Sequence, residues 1–168
     1  MHFEKVPFEE YVRVYQQLGL IPADADSTFM NWLKIEWEGI ILPTRATKGS
    51  AGYDFYLPTQ VNIGPTPVII PTGIRACIDP GWFLMILPRS GLGFKYGMRF
   101  QNTAGVIDED YFTADNYGHI MAKVKADKEL LLQAGDRFMQ GIFLPYGTVE
   151  SDRPSASTRT GGFGSTGV

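Results

Sequence analysis

From about residue 33 onward, apolar positions come in short or alternating runs broken by Pro, Gly, Asn and Asp. Examples are Val68-Ile69-Ile70, Gly73-Ile74-Arg75-Ala76-Cys77-Ile78 and Trp82-Phe83-Leu84-Met85-Ile86-Leu87. Runs of this length with such punctuation predict strands. Residues 120–126 alternate with period two, the mark of a strand with one wet face, and a further strand is predicted at 138–144 after the turn at Gly135-Asp136. Ahead of all these, residues 7–19 place Phe8, Tyr11, Val12, Tyr15 and Leu18 at helical spacing. Proline opens this stretch and Gly19 is suited to the C′ position, so one amphipathic helix is predicted. After Val149 the stretch ESDRPSASTRT loses its apolar residues and reads as a flexible linker. Many short strands mean a sandwich, jelly roll or barrel, and the pattern does not choose among them.

With 168 residues the chain is read as a single domain with a substantial core. One cysteine, Cys77, excludes an intrachain disulfide and fits a reducing compartment. The apolar run at 82–87 is far shorter than the roughly 20 residues of a membrane helix. The first ten residues, MHFEKVPFEE, lack the profile of a signal peptide. A cytoplasmic protein without a membrane partner is therefore expected. A net charge of −3 and a pI near 5.3, with Lys and Arg scattered, disfavour polymeric nucleic acid as a partner. A small anion needs only two or three arginines and a few amides. His2, His119 and Cys77 cannot assemble a zinc site, while a hard cation held by carboxylate, water and phosphate stays open.

Several segments carry candidate chemistry. The tail RTGGFGSTGV holds Gly162-x-Gly164-x-x-Gly167, the spacing of a dinucleotide fingerprint, but no strand precedes it and no helix can follow. It reads either as a plain polar end or as a lid. In the second case Phe163 is a flat plate between glycines, Ser165 and Thr166 are donors, and Arg159 is a fork for phosphate. Pro88-Arg89-Ser90-Gly91-Leu92-Gly93 is a turn or a phosphate site. Gly105-Val106-Ile107-Asp108-Glu109-Asp110-Tyr111 sets acids after a short apolar run, as a solvated loop or with one carboxylate as a general base. Ala51-Gly52-Tyr53-Asp54 could aim Asp54 at a cation's water shell. In Gly135-Asp136-Arg137-Phe138-Met139-Gln140, Gln140 is the residue able to reach a ligand.

Taken in order, these segments resemble the five motifs of the trimeric dUTP pyrophosphatases, the dUTPases, the first being Ala51-Gly52-Tyr53-Asp54-Phe55 and the last 161–167. The likeness runs from about residue 40 to the C-terminus. It implies an all-β fold, the dUTPase-like β-clip jelly roll, assembled as a homotrimer with active sites at subunit boundaries. The activity it implies is hydrolysis of dUTP to dUMP and pyrophosphate, which removes dUTP and supplies dUMP for dTTP synthesis. By position, Asp108 would activate the attacking water. Tyr111 would stack on the deoxyribose, and Asn102, Gly105, Val106, Ile107 and Met121 would surround the base, with Phe163 covering it. Arg89, Ser90, Gly91, Gln140, Arg159, Gly164, Ser165 and Thr166 would hold the phosphates, and Asp54 a water of the bound Mg²⁺.

This reading divides the chain into an N-terminal helical extension (1–32), the β jelly-roll core (33–149) and a C-terminal arm (150–168). Residues 112–116 are an insertion relative to the family pattern and a surface for a protein partner. Two alternatives share the scaffold: dCTP deaminase, alone or bifunctional with dUTPase activity, and a nucleotide-binding regulatory protein.

Overall fold

The computed structural model describes residues 1–153. The chain opens with strand β1 (His2–Lys5) and helices α1 (Phe8–Gln17) and α2 (Ser27–Glu38). Helix α1 is the one the spacing predicts: Pro7 precedes it, Tyr11, Val14 and Tyr15 are buried, and Gly19 takes a φ of +67° just beyond its end. Helix α2 runs through residues where strands were expected to begin. Leu33-Lys34-Ile35-Glu36-Trp37 alternates as a strand would, yet Leu33 is the buried residue of this helix and Ile35 is 70% exposed. The decisive local signal is Asp26, whose carboxylate accepts from the amides of Thr28 (2.9 Å) and Phe29 (3.0 Å) as an N-cap.

Polar contacts lock the two helices together. The Tyr11 hydroxyl (2.6 Å) and the Tyr15 hydroxyl both donate to Glu36 Oε1, and burial, with that carboxylate beside them, pushes both tyrosine pKa values above the ordinary phenol range. Trp37 Nε1 donates to the Val6 carbonyl at 2.9 Å. Lys5 Nζ donates to the Glu38 carbonyl at 2.6 Å, a cation at the negative end of α2.

The strands that follow are β2 (Thr44–Arg45), β3 (Tyr53–Tyr56), β4 (Val61–Ile63), β5 (Val68–Pro71), β6 (Ile74–Cys77), β7 (Trp82–Pro88), β8 (Arg99–Phe100), β9 (Gly105–Ile107), β10 (Met121–Lys125), β11 (Leu130–Leu132) and β12 (Arg137–Pro145). The apolar runs predicted as strands become β5, β6, β7, β10 and β12. In β10 Ala122 and Val124 are buried and Lys123 exposed, as the period-two pattern requires. A short helix α3 (Ser90–Tyr96) follows β7, and a 3₁₀ turn (Glu109–Thr113) follows β9.

Every strand pairing is antiparallel: a five-stranded sheet ordered β2-β3-β12-β7-β9, a three-stranded sheet β5-β10-β8, and the pairs β1-β6 and β11-β4. A single apolar cluster joins Val6, Tyr11 and Leu33 of the N-terminal elements to Phe55, Ile70, Leu84 and Phe138 of the sheets. At the middle of β12, Gly141 leaves the room its neighbours fill: a Cβ there would lie 2.9 Å from Leu84 Cδ1 and 3.0 Å from Phe55 Cε2. Among the described residues no helix is long and apolar enough to cross a membrane.

The core also encloses a polar pair. His119 and Glu10 are both buried, with His119 Nδ1 3.6 Å from Glu10 Oε1. Arg13 closes on the same carboxylate through Nε (2.7 Å to Oε2) and Nη2 (2.8 Å to Oε1). The Gly73 amide donates to His119 Nε2 at 2.9 Å. That nitrogen must therefore be the acceptor, which leaves the proton of the neutral imidazole on Nδ1, facing Glu10. A second proton would set N–H against N–H at Gly73.

Burial accordingly lowers the His119 pKa, Glu10 opposing it. Burial alone would raise the Glu10 pKa, but the facing His119 imidazole and the hydrogen bonds from Arg13 outweigh it and the net shift is downward. Both groups bind protons more readily in the unfolded chain, so both make stability fall on acidification. The His119 share is complete above its unfolded pKa of about 6.5 and is lost as the pH falls towards its folded value. Melting temperature measured against pH should decline below about pH 6.5, and His119→Gln should flatten the first part of that decline. Gly141→Val should overpack the core and cost about 1–3 kcal/mol in denaturant unfolding.

Candidate functional site

Two cavities hold most of the described candidate residues; Asp108 and Gly91 line neither. The first, of about 360 Å³, is lined by Asn102, Gly105, Val106, Ile107, Tyr111 and Met121, with Ile86, Phe100, Ile120 and Ala122 as apolar wall. All six of the described residues expected around a nucleoside converge there. Strand β9 supplies Gly105, Val106 and Ile107 from the edge of the five-stranded sheet, and β10 supplies Met121 from the three-stranded one. Gly105 lies close against Ile86, and a Cβ on it would sit 3.2 Å from Ile86 Cβ.

Tyr111 is held from two sides within this cavity. Its hydroxyl donates to the His119 carbonyl at 2.9 Å and accepts from Asn116 Nδ2 at 2.7 Å. Asn116 belongs to the residues expected to be an insertion, and its Oδ1 in turn accepts from the Gly118 amide at 3.3 Å. The turn back to β10 needs a positive φ at Tyr117 (56°) and Gly118 (69°), and a Cβ at Gly118 would meet the Tyr111 carbonyl at 2.8 Å. The 112–118 loop thus folds inward to hold Tyr111, and Met121 lies in the cavity wall.

The three acids after β9 have different surroundings. Glu109 Oε2 accepts from the Gly81 amide at 2.8 Å and ties the 3₁₀ turn to the loop before β7. Asp110 gives its carbonyl to the Thr113 hydroxyl at 3.2 Å. Asp108 stands at the junction, half-buried in extended backbone (φ −78°, ψ 160°) between a cavity-lining strand and the turn that carries Tyr111.

The second cavity is polar and lined by Ala46, Ser50, Ala51, Gly52, Asp54, Arg89, Ser90, Gln140 and Ile142. Strand β12 pairs Gln140 with Asp54 of β3 and with Leu87 of β7, so Asp54 and Gln140 project side by side. Asp54 is clasped by two guanidinium groups, Arg89 Nε at 3.3 Å from Oδ1 and Arg137 Nη1 at 3.0 Å from Oδ2. One carboxylate against two cations leaves the cluster net positive, suited to a phosphate anion. Gly52 gives Gln140 its place, since a Cβ there would lie 2.6 Å from Gln140 Oε1. Gly91 follows Ser90 in α3.

Arg137 is the member that sequence reading passed over. It lies opposite Tyr56, beyond a bulge in the β12–β3 ladder, and comes to Asp54 through that register. Nothing in the spacing of 137 and 54 signals the contact.

Ile86 lies opposite Gly141 and Gly105, one residue out of step with the Leu87–Gln140–Asp54 row. Side chains alternate between faces along a strand. Ile86, in the first cavity, and Gln140 and Asp54, in the second, therefore project from opposite faces of the five-stranded sheet, and the cavities share no lining residue. Phe163, Arg159, Gly164, Ser165 and Thr166 lie outside the described residues.

Comparisons with known proteins bear on the family of the chain. The dUTPase family model matches residues 38–167. A Lactococcus lactis protein, deoxyuridine 5'-triphosphate nucleotidohydrolase, is 39% identical over 135 residues, covering 77% of this chain and 90% of its own length. A protein of the same description from Glaesserella parasuis is 41% identical over 137 residues, covering 75% and 87%. Among solved structures, a dUTPase from Streptococcus mutans superposes with a TM-score of 0.63 at 30% identity, covering 90% of this chain and 100% of that one. On a match that spans more than three quarters of its length, this chain belongs to the dUTPase family.

Proposed function

We propose that the protein hydrolyses dUTP to dUMP and pyrophosphate, acting as a dUTP diphosphatase at sites built between copies of the chain. The observation that carries this reading is the sorting of the candidate residues. Those expected at a nucleoside line one largely apolar cavity, and Arg89, Ser90 and Gln140, expected at phosphates, line a positively charged one on the other face of the same sheet. A single nucleotide cannot lie in both cavities of one chain with the sheet between them. A neighbouring copy that brings its polar cavity to the apolar one completes the site, and a homotrimer of jelly-roll subunits satisfies this with one contact repeated around an axis. The division into an extension at 1–32, a core at 33–149 and an arm at 150–168 belongs to the same proposal as a division of roles along the chain, helix α2 (Ser27–Glu38) crossing the first of these bounds.

In this mechanism the base enters between β9 and β10, where Asn102 and the backbone of 105–107 offer hydrogen bonds to its edge. The Tyr111 ring packs on the sugar and excludes a 2′-hydroxyl. Arg89, Ser90, Gly91 and Gln140 bind the phosphate oxygens, and Arg137 adds charge beside them. Asp108 takes a proton from the water that attacks in line at the α-phosphorus, and pyrophosphate leaves.

Among the described residues no three His, Cys, Asp or Glu side chains group to hold a metal ion. The second cavity's lone carboxylate, Asp54, set between two arginines, fits an ion carried by the substrate's own oxygens and reached through water. Mg²⁺ bound in that way would neutralise charge on the triphosphate.

Pyrophosphate release from dUTP, with dTTP, dCTP and UTP as controls, tests the activity. Asp108→Asn should lower kcat by about a hundredfold or more while KM changes little, and unchanged turnover would remove Asp108 from the role of base. The composite site has its own test. Asp108→Asn and Arg89→Ala should each be nearly inactive, whereas subunits exchanged in equal amounts should regain about a quarter of wild-type activity, the chance that a site draws an intact half from each parent. No regain after verified exchange would place the whole site within one chain.

A further inference from the structure

The apolar cavity is braced from the N-terminal elements, most of which precede the segment matched by the family model. Two separate chains of contact reach the 111–119 loop. In the first, Arg13 holds Glu10, Glu10 faces His119 Nδ1, and the Gly73 amide fixes the opposite edge of the imidazole. The carbonyl of that same His119 accepts the Tyr111 hydroxyl at 2.9 Å. The next residue is tied down as well, the Ile120 amide donating to the Ile74 carbonyl (2.9 Å) and the Ile120 carbonyl accepting from the Thr72 hydroxyl (2.6 Å). In the second chain, β1 pairs with β6 so that Glu4 lies opposite Arg75, and the two side chains meet at 2.6 Å. The Arg75 guanidinium then sits over the Phe112 ring, 4.1 Å from its centroid, on the residue that follows Tyr111.

We propose that Glu10, acting through His119, is a positioning residue for Tyr111 and so for the nucleoside cavity, and that Glu4, acting through Arg75, supports the same loop at Phe112. This rests on the assignment of the cavity to the nucleoside of dUTP. A buried carboxylate within a helix is costly unless it is paired; here Arg13 of the same helix holds both oxygens, and Oε1 is turned towards the imidazole of the 111–119 loop. Were Glu10 needed only to join α1 to the core, an apolar residue of similar size would serve at lower cost. The chosen arrangement instead fixes a backbone carbonyl, the one on which the Tyr111 hydroxyl is hung. Removing Glu10 frees the imidazole to turn, and the Tyr111 anchor moves with it. Neither Glu10 nor Glu4 touches the substrate, so the chemical step is left intact.

The full-length protein is the material for the test. Glu10→Ala should raise the KM for dUTP about tenfold and leave kcat within about twofold, since misplacement acts on the nucleoside and not on the attacking water. The Kd for dUMP, measured by calorimetry, should rise in parallel, and the preference for dUTP over UTP should shrink because Tyr111 excludes the 2′-hydroxyl less well. Glu10→Gln, which retains an acceptor for His119 Nδ1, should restore most of the affinity. Glu4→Gln should give a smaller change of the same kind. If Glu10→Ala does not fold, Arg13→Met decides, expected to raise KM without lowering kcat. A fall in melting temperature with KM, dUMP affinity and the dUTP/UTP ratio all unchanged would overturn the proposal and leave the pair a purely structural contact. Failure of the wild type to release pyrophosphate from dUTP would instead sink the functional reading, and dUMP affinity would still report on the brace.

Discussion

Both cavities depend on the register of β12 against β3 and β7. With Gln140 level with Asp54 and Leu87, the polar row faces the charged cavity, and Gly141 faces the rings and methyls of Phe55, Leu84 and Ile86. A slip of one residue would exchange the two faces. Gln140 would then be driven into a space that cannot take even a Cβ, and Arg137 on the same strand would turn away from Asp54, breaking an ion pair on a largely buried carboxylate at a cost of several kcal/mol. The same steric demand that packs the interior therefore aims the functional side chains. Folding and site assembly are one event here.

The cavities also divide the chemical work. One is walled by aliphatic and aromatic groups with a few amides, suited to a flat heterocycle and a sugar lacking a hydroxyl. The other gathers two guanidinium groups around a carboxylate, and that carboxylate holds the cations in a fixed geometry before any anion arrives. Such preorganisation makes Asp54 useful whether or not a metal ion is present. The insertion at 112–116 serves the first cavity, supplying Asn116 to the Tyr111 hydroxyl.

Much of this was legible in the residues. Strands β5, β6, β7, β10 and β12 followed from short apolar runs and their punctuation, and α1 from its spacing. The six described nucleoside candidates came from motif order and share one cavity. What escaped did so for physical reasons. Helix α2 carries an alternating stretch that mimics a strand, and only the carboxylate of Asp26 reveals its start. Arg137 reaches Asp54 across a bulge, and His119 reaches Glu10 across more than a hundred residues of chain; contacts of that kind are set by register and packing and leave no periodic trace. Motif likeness also began near residue 40, so it offered no view of the elements before it.

Those elements have a history written into the interior. At Gly73 a positive φ and a Cβ position crowded by Ile40 Cδ1 and the Tyr11 ring strongly favour glycine, and its amide is committed to the histidine that answers Glu10. A lineage that shed the first helices would expose Val6's neighbours to water, strand a histidine without its carboxylate and lose the reason for that glycine. The first elements are therefore not a detachable piece: positions 10, 73 and 119 form one packed unit, and the start of the segment matched by the family model is not a boundary of this molecule's fold.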